Sequence, residues 1–213
     1  MLNSFPLHPV QDVIMAPHGQ LEVLVTPVGV PPKVSIVCHP HPLQGGSMTN
    51  KVVTTLTKAC QNQGYGTIRF NYRGVGQSTG TYGHYLGEIE DLLTVIGWLD
   101  QVLPGVPISL LGFSFGAYVS ANVAHQLVTT IKWLISVAPA VHHASYDELT
   151  NIQCPWFVIH GSKDEVVSLQ AVTDFAARNL CVQNIQVLPE ASHFFHGQLL
   201  SLRHIVEAWI RTV

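Results

Sequence analysis

The chain has 213 residues and a formal net charge of −3, and charged side chains make up only 11% of it. Ten Lys plus Arg, with no basic run, leave no electrostatic footprint for nucleic acid or an anionic membrane, so we expect neither as a partner. The length predicts a single domain over residues 1–213, too short for a core plus a large cap. The low charge content favours a homo-oligomer, or else a surface solvated by neutral polar side chains.

Strand and helix signals alternate along the chain, as in an α/β fold whose mostly parallel sheet carries helices on both faces. An antiparallel hairpin is predicted at 13–16 and 21–25, followed by strands at 34–38, 67–72, 106–111, 133–138, 156–160 and 185–188. The predicted helices are 50–63, 85–102, 115–128, 168–179 and 198–212. No repeat, low-complexity tract or linker divides the chain.

Signals for export and for membrane insertion are not found in the sequence. The first ten residues have neither a cationic start nor a continuous apolar stretch. The longest apolar runs, near 133–138, are too short to span a bilayer. Four cysteines form no CxxC pair, which favours reduced thiols in a cytoplasmic protein.

Ser114 stands between two glycines in Gly112-Phe113-Ser114-Phe115-Gly116, directly after a predicted strand. This is the sequence form of a nucleophile elbow, in which a strand ends, the backbone turns through a strained residue and a helix begins. The small residues let strand and helix approach closely, which exposes the serine hydroxyl at the top of the sheet. A plain strand-to-helix turn would look the same, so a catalytic role requires partners for the serine.

Two candidate partners follow in the chain. An alcohol is a weak nucleophile at neutral pH and needs an adjacent base that a third group orients. Asp164, in the turn after the strand at 156–160, is the candidate acid. His193, in the loop after the strand at 185–188, is the candidate base. Because each lies just beyond a predicted strand, we expect the three side chains to meet at one edge of the sheet.

These motifs resemble those of compact serine alpha/beta-hydrolases, especially the small, mostly bacterial, esterase-like members. The resemblance runs from segment 39–48 through 69–78 and the elbow to 161–164 and 192–196, and the order Ser114, Asp164, His193 agrees with it. It implies an alpha/beta-hydrolase fold and a Ser-His-Asp triad that cleaves small acyl esters or thioesters through an acyl-enzyme. An acyltransferase with the same triad, or a non-catalytic binding protein on the same fold, are the alternatives.

The resemblance also implies an oxyanion hole built from two backbone N–H groups. The residue after the nucleophile, Phe115, supplies the first. In the loop after the third strand Pro40 and Pro42 have no N–H, so His41 or Leu43 supplies the second. The family pattern fits His41 best, but Pro40 stands where relatives have glycine, which leaves the choice open.

Many relatives carry a lid between the strands that end near 138 and start near 156, whereas this chain has only the connection 139–154. We therefore expect an open pocket for short, uncharged acyl groups, with His142, His143 or Tyr146 near its rim. Twelve histidines occur without a cysteine or carboxylate at a metal-ligand spacing, so no metal and no other cofactor are predicted.

Overall fold

The computed structural model describes residues 1–142 and 145–213. In this part of the chain eight strands form one sheet: β1 (Val10–Ala16), β2 (Gly19–Thr26), β3 (Val34–Cys38), β4 (Gly66–Phe70), β5 (Ile108–Phe113), β6 (Ile131–Val137), β7 (Trp156–Gly161) and β8 (Val182–Leu188). The helices are α1 (Lys51–Asn62), α2 (Leu86–Val102), α3 (Phe115–Gln126), α4 (Leu169–Arg178) and α5 (Leu199–Ile210). Short 3₁₀ helices lie at Pro42–Gln44 and Tyr146–Glu148.

The strands are ordered β1-β2-β4-β3-β5-β6-β7-β8 across the sheet. β1 pairs antiparallel with β2, and β2 pairs antiparallel with β4, while every pair from β4 to β8 is parallel. The predicted α/β fold with its N-terminal hairpin is therefore confirmed. Parallel strands end at the same edge, so the segments after β3, β5, β7 and β8 meet there.

Every predicted strand and helix is present, with ends displaced by up to three residues. The difference in bounds that matters most for the site concerns β5, which was predicted at 106–111 and runs from Ile108 to Phe113. Gly112 and Phe113 extend it because they pair with Ser136 and Val137 of β6. Pairing with a neighbouring strand thus carries β5 directly to the elbow. The two 3₁₀ helices were not predicted.

Two apolar cores lie on the two faces of the sheet. Alternate residues of each strand point to opposite faces, so Ile36 and Leu110 join one core while Val37 and Leu111 join the other. Helices α2, α3 and α4 cover the first core, and α1 and α5 cover the second. None of the helices in the described ranges has the length and apolar character needed to cross a membrane.

Candidate active site

Ser114 occupies the sharp turn between β5 and α3. Its backbone has φ 54° and ψ −114°, a positive φ that is strained for any residue with a side chain. The Ser114 N–H donates a hydrogen bond to the carbonyl oxygen of Val137 at 2.8 Å, which fixes the turn against β6. The local geometry is that of a nucleophile elbow.

The two glycines of the motif are required by close backbone packing. A β-carbon on Gly112 would overlap the carbonyl oxygen of Gly116. A β-carbon on Gly116 would lie only 2.5 Å from the carbonyl oxygens of Cys38 and His39, at the end of β3. Only glycine therefore lets α3 start directly on top of β5 and against β3.

The structure brings Ser114, His193 and Asp164 together. His193 Nδ1 lies 2.8 Å from Asp164 Oδ2, and His193 Nε2 lies 3.1 Å from Ser114 Oγ. An ionised carboxylate only accepts hydrogen bonds, so the imidazole proton lies on Nδ1. Nε2 is then left to accept the hydroxyl hydrogen of Ser114.

The Asp164 carboxylate is buried and well supplied with donors. Its Oδ1 accepts the N–H groups of Val166 at 2.9 Å and Val167 at 2.7 Å. Burial alone would raise the pKa of Asp164, but the hydrogen bonds from His193, Val167 and Val166 outweigh burial and lower that pKa below 3.8. Asp164 therefore stays ionised while it holds the imidazole.

A second histidine, His160 of β7, faces the same carboxylate. Its side chain is fully buried, and Nε2 lies 3.0 Å from the carbonyl oxygen of Val167 and 3.7 Å from Asp164 Oδ2. A carbonyl only accepts, so Nε2 carries the ring proton. Burial lowers the pKa of His160, although the charge of Asp164 opposes the shift. His160 thus ties the turn that carries Asp164 to β7.

The loop after β3 distinguishes the two candidates for the second oxyanion donor. The N–H of Leu43 donates to His41 Nδ1 at 3.2 Å, at the start of the 3₁₀ helix Pro42–Gln44. The His41 ring lies 4.9 Å from the ring of Phe115. Phe115 is the first residue of α3, and its N–H has no acceptor within the helix. His41 is therefore the better candidate of the two, beside Phe115.

His39 fixes this loop through two hydrogen bonds, a role that the sequence analysis missed. Its Nδ1–H donates to the carbonyl oxygen of Pro40 at 2.7 Å, and its Nε2 accepts the N–H of Tyr72 at 3.1 Å. Both bonds require a neutral ring. Burial lowers the pKa of His39 to about 3, although the hydrogen bond to Pro40 opposes the shift. The neutral ring joins the loop after β3 to the segment that follows β4.

An aromatic wall surrounds the ring of Phe115 and was also missed. Tyr85 stacks on Phe115 with ring centroids 4.6 Å apart, and the hydroxyl of Tyr82 lies 3.3 Å from His41 Nε2. Tyr85 has a positive φ of 72°, and the buried Glu88 accepts its N–H at 2.9 Å. The side chains beside the proposed oxyanion donors are therefore largely apolar and held in place.

The residues predicted near the pocket rim lie in different surroundings. Tyr146 is buried, and its ring contacts those of Tyr118, Trp156 and Phe175, so it belongs to the core instead of an exposed rim. His142 is exposed in the turn after β6, and His143 lies outside the described residues. Across residues 1–142 and 145–213, no three His, Cys, Asp or Glu side chains are grouped as a metal ion would require.

Comparisons with known proteins show the family to which the chain is similar. Residues 41–149 match the protein family described as serine aminopeptidase, S33. An uncharacterized protein of Rickettsia prowazekii is 31% identical over 210 residues, which cover 92% of this chain and 87% of that protein. An alpha-beta serine hydrolase homologue from Coxiella burnetii is 42% identical, with a TM-score of 0.88 and coverage of 96% of this chain and 99% of the other. An a/b serine hydrolase without lid from Xanthomonas campestris is 38% identical, with a TM-score of 0.90 and coverage of 98% and 96%.

Proposed function

Because the chain belongs to the alpha/beta serine hydrolases, we propose that it is a carboxylesterase that hydrolyses small acyl esters or thioesters at Ser114. The observation that carries the proposal is the continuous hydrogen-bonded line from Asp164 through His193 to Ser114 Oγ. Each of the three groups has the neighbour that nucleophilic catalysis by an alcohol requires.

In the first half-reaction Ser114 Oγ attacks the carbonyl carbon of the ester. His193 Nε2 takes the hydroxyl proton as the new C–O bond forms, and Asp164 stabilises the resulting imidazolium. The N–H groups of Phe115 and His41 bind the negative oxygen of the tetrahedral intermediate. When the ester C–O bond breaks, the imidazolium returns its proton to the departing alcohol, which leaves an acyl group on Ser114.

Water completes the reaction with the same groups in the same roles. His193 Nε2 accepts a proton from the water as its oxygen attacks the acyl carbon, and the imidazolium then protonates Ser114 Oγ as the acid departs. The rings of Tyr82, Tyr85 and Phe115 place apolar surface beside the proposed oxyanion donors, which favours an uncharged substrate. The short connection 139–154 supports an open site suited to small acyl groups.

The experiment is a kinetic comparison of p-nitrophenyl acetate, butyrate and decanoate with the purified protein and two serine variants. We expect faster turnover of acetate and butyrate than of decanoate. Ser114→Ala should lose activity and labelling by a fluorophosphonate probe, because both need the nucleophile. Ser120→Ala is the matched control, since Ser120 is buried in α3 and its hydroxyl donates to the carbonyl oxygen of Ala117 in the same helix.

Three results would overturn the proposal. Unchanged hydrolysis or labelling in Ser114→Ala would show that Ser114 is not the nucleophile. Faster cleavage of aminoacyl p-nitroanilides than of esters would make the protein a peptidase. Transfer of the acyl group to an added alcohol, thiol or amine in preference to water would make it an acyltransferase.

A further inference from the structure

A hollow of about 540 Å³ opens at the amino ends of the parallel strands, the edge of the sheet opposite Ser114. Its lining includes residues that precede or begin β3, β5, β6 and β7. Ser109 lies on its floor, five residues before Ser114 in an extended strand, which separates the two sites by about 16 Å. The volume is in the range of small-molecule sites, roughly 300–1,000 Å³.

The walls of this hollow are mainly apolar, and the two aromatic rings behind them are held in place. Trp133 and Tyr65 are almost fully buried, and their rings meet edge to face with centroids 5.6 Å apart. The indole N–H of Trp133 donates to the Tyr65 hydroxyl oxygen at 3.1 Å. Four prolines, together with Thr212 and Val213, line the hollow around them. The hollow is thus an apolar slot whose shape does not depend on a ligand.

The polar groups that face the hollow are mainly donors. Lys33 Nζ lies 4.1 Å from the centroid of the Tyr65 ring, and the exposed Lys132 lines the same hollow. The Tyr65 oxygen accepts from Trp133, so its own hydrogen is available, and burial raises the pKa of Tyr65, which keeps it protonated. The Ser109 hydroxyl is a further donor. No Asp or Glu side chain is among the lining residues, all of which belong to the described part of the chain.

We propose that this hollow is a second ligand site, which binds a small anion with a flat apolar body, such as an aromatic carboxylate or sulfonate. The ring of the ligand packs against the exposed prolines and the accessible edges of Trp133 and Tyr65, and its acid group faces Lys33 and Lys132. Charge-assisted hydrogen bonds from the two ammonium groups are stronger than bonds between neutral groups, so the lysines select an anion over its neutral analogue. Binding does not involve Ser114.

The test is a fluorescence titration with 1-anilinonaphthalene-8-sulfonate, an aromatic sulfonate whose emission rises at apolar sites. We expect Lys33→Met/Lys132→Met to weaken binding about tenfold, the loss of roughly one charge-assisted hydrogen bond. Lys51→Met/Lys163→Met changes the net charge equally at exposed positions elsewhere and should bind as the unmodified protein does. Ser114→Ala should also bind unchanged, which separates this site from the proposed esterase.

Two further measurements test where the probe binds and whether the site prefers an anion. Ser109→Leu fills the floor and should abolish binding, with the thermal midpoint recorded to show that the variant folds. 2-Naphthoate should compete with the probe more strongly than the neutral 2-naphthamide.

Equal weakening of probe binding in the two double lysine variants would overturn the proposal, because the effect would then reflect net charge alone. A lower thermal midpoint with unchanged probe affinity would also overturn it, since the lysines would then contribute to the stability of the fold and not to ligand binding. Probe binding that falls as protein concentration rises, together with a dimer by light scattering, would identify a second copy of the chain as the occupant instead.

Discussion

Lowering the pH from 7.5 to 5.0 should weaken the fold through His39, the buried histidine beneath the proposed oxyanion loop. The neutral ring donates to Pro40 and accepts from Tyr72, and burial lowers the pKa of His39 from 6.5 to about 3. Between those values the unfolded chain binds a proton that the folded chain excludes. The stabilisation is therefore fully present above pH 6.5 and is lost progressively as the pH falls toward 3.

The size of the effect follows from the unfolded pKa. A pH of 5.0 lies 1.5 units below the pKa of 6.5 of the imidazole in the unfolded chain, whereas the folded ring is still neutral at this pH. At about 1.36 kcal/mol per unit, His39 accounts for a loss of about 2 kcal/mol in the free energy of unfolding. Carboxyl groups with lowered pKa values, such as Asp164, contribute only nearer pH 4 and below, so this interval isolates the histidines.

Urea unfolding followed by tryptophan fluorescence at both pH values measures the loss. His39→Gln keeps one donor and one acceptor but cannot titrate, so its free energy of unfolding should fall by about 2 kcal/mol less than that of the unmodified protein. His204→Gln, at an exposed position of α5, is the control and should keep the full pH dependence. If His39→Gln and the unmodified protein lose the same stability, His39 does not enter the core as a neutral ring.

Three further predictions concern the proposed site and its packing. Asp164→Asn should lower kcat for p-nitrophenyl acetate by about 10³- to 10⁴-fold with little change in KM, because the imidazole then presents the wrong tautomer to Ser114. An effect mainly on KM would contradict this role of Asp164. Gly116→Ala should lower the free energy of unfolding by more than about 1 kcal/mol, because its β-carbon meets backbone carbonyls. Gly97→Ala, in open space on α2, should raise the free energy of unfolding by up to about 1 kcal/mol. Urea unfolding compares the two variants, and equal effects would count against the packing argument. Tyr85→Ala should lower kcat/KM for the same ester while Tyr85→Phe preserves it, since stacking on Phe115 needs only the ring; loss in both variants would point to the hydroxyl.

The sequence was sufficient to locate the three candidate catalytic groups because each follows a strand directly. Ser114, Asp164 and His193 could be placed by local pattern alone, since parallel strands share one carboxyl edge. The hydrogen bond between His39 and Tyr72 could not be predicted, because it depends on β4 lying between β2 and β3. No local pattern reveals that order across the sheet.

Other features required tertiary packing that a linear pattern does not contain. The preference for His41 over Leu43 as the proposed second donor depends on a 3₁₀ turn whose N-cap side chain, that of His41, accepts the Leu43 N–H. Tyr146 was expected near the rim because it lies in the connection 139–154, where many relatives carry a lid, yet Trp156 and Phe175 form an apolar surface that buries it. Burial of a tyrosine is decided by what lies opposite it, which the sequence does not show.

The pairing of Ser114 with His193 joins residues that are 79 positions apart, and β8, the strand before His193, lies at the outer end of the sheet. During synthesis Ser114 leaves the ribosome long before His193. Under the proposed mechanism, hydrolysis can begin only after β8 has docked beside β7. Turnover would then report completion of the last step of assembly, and a chain truncated before β8 would have no activity.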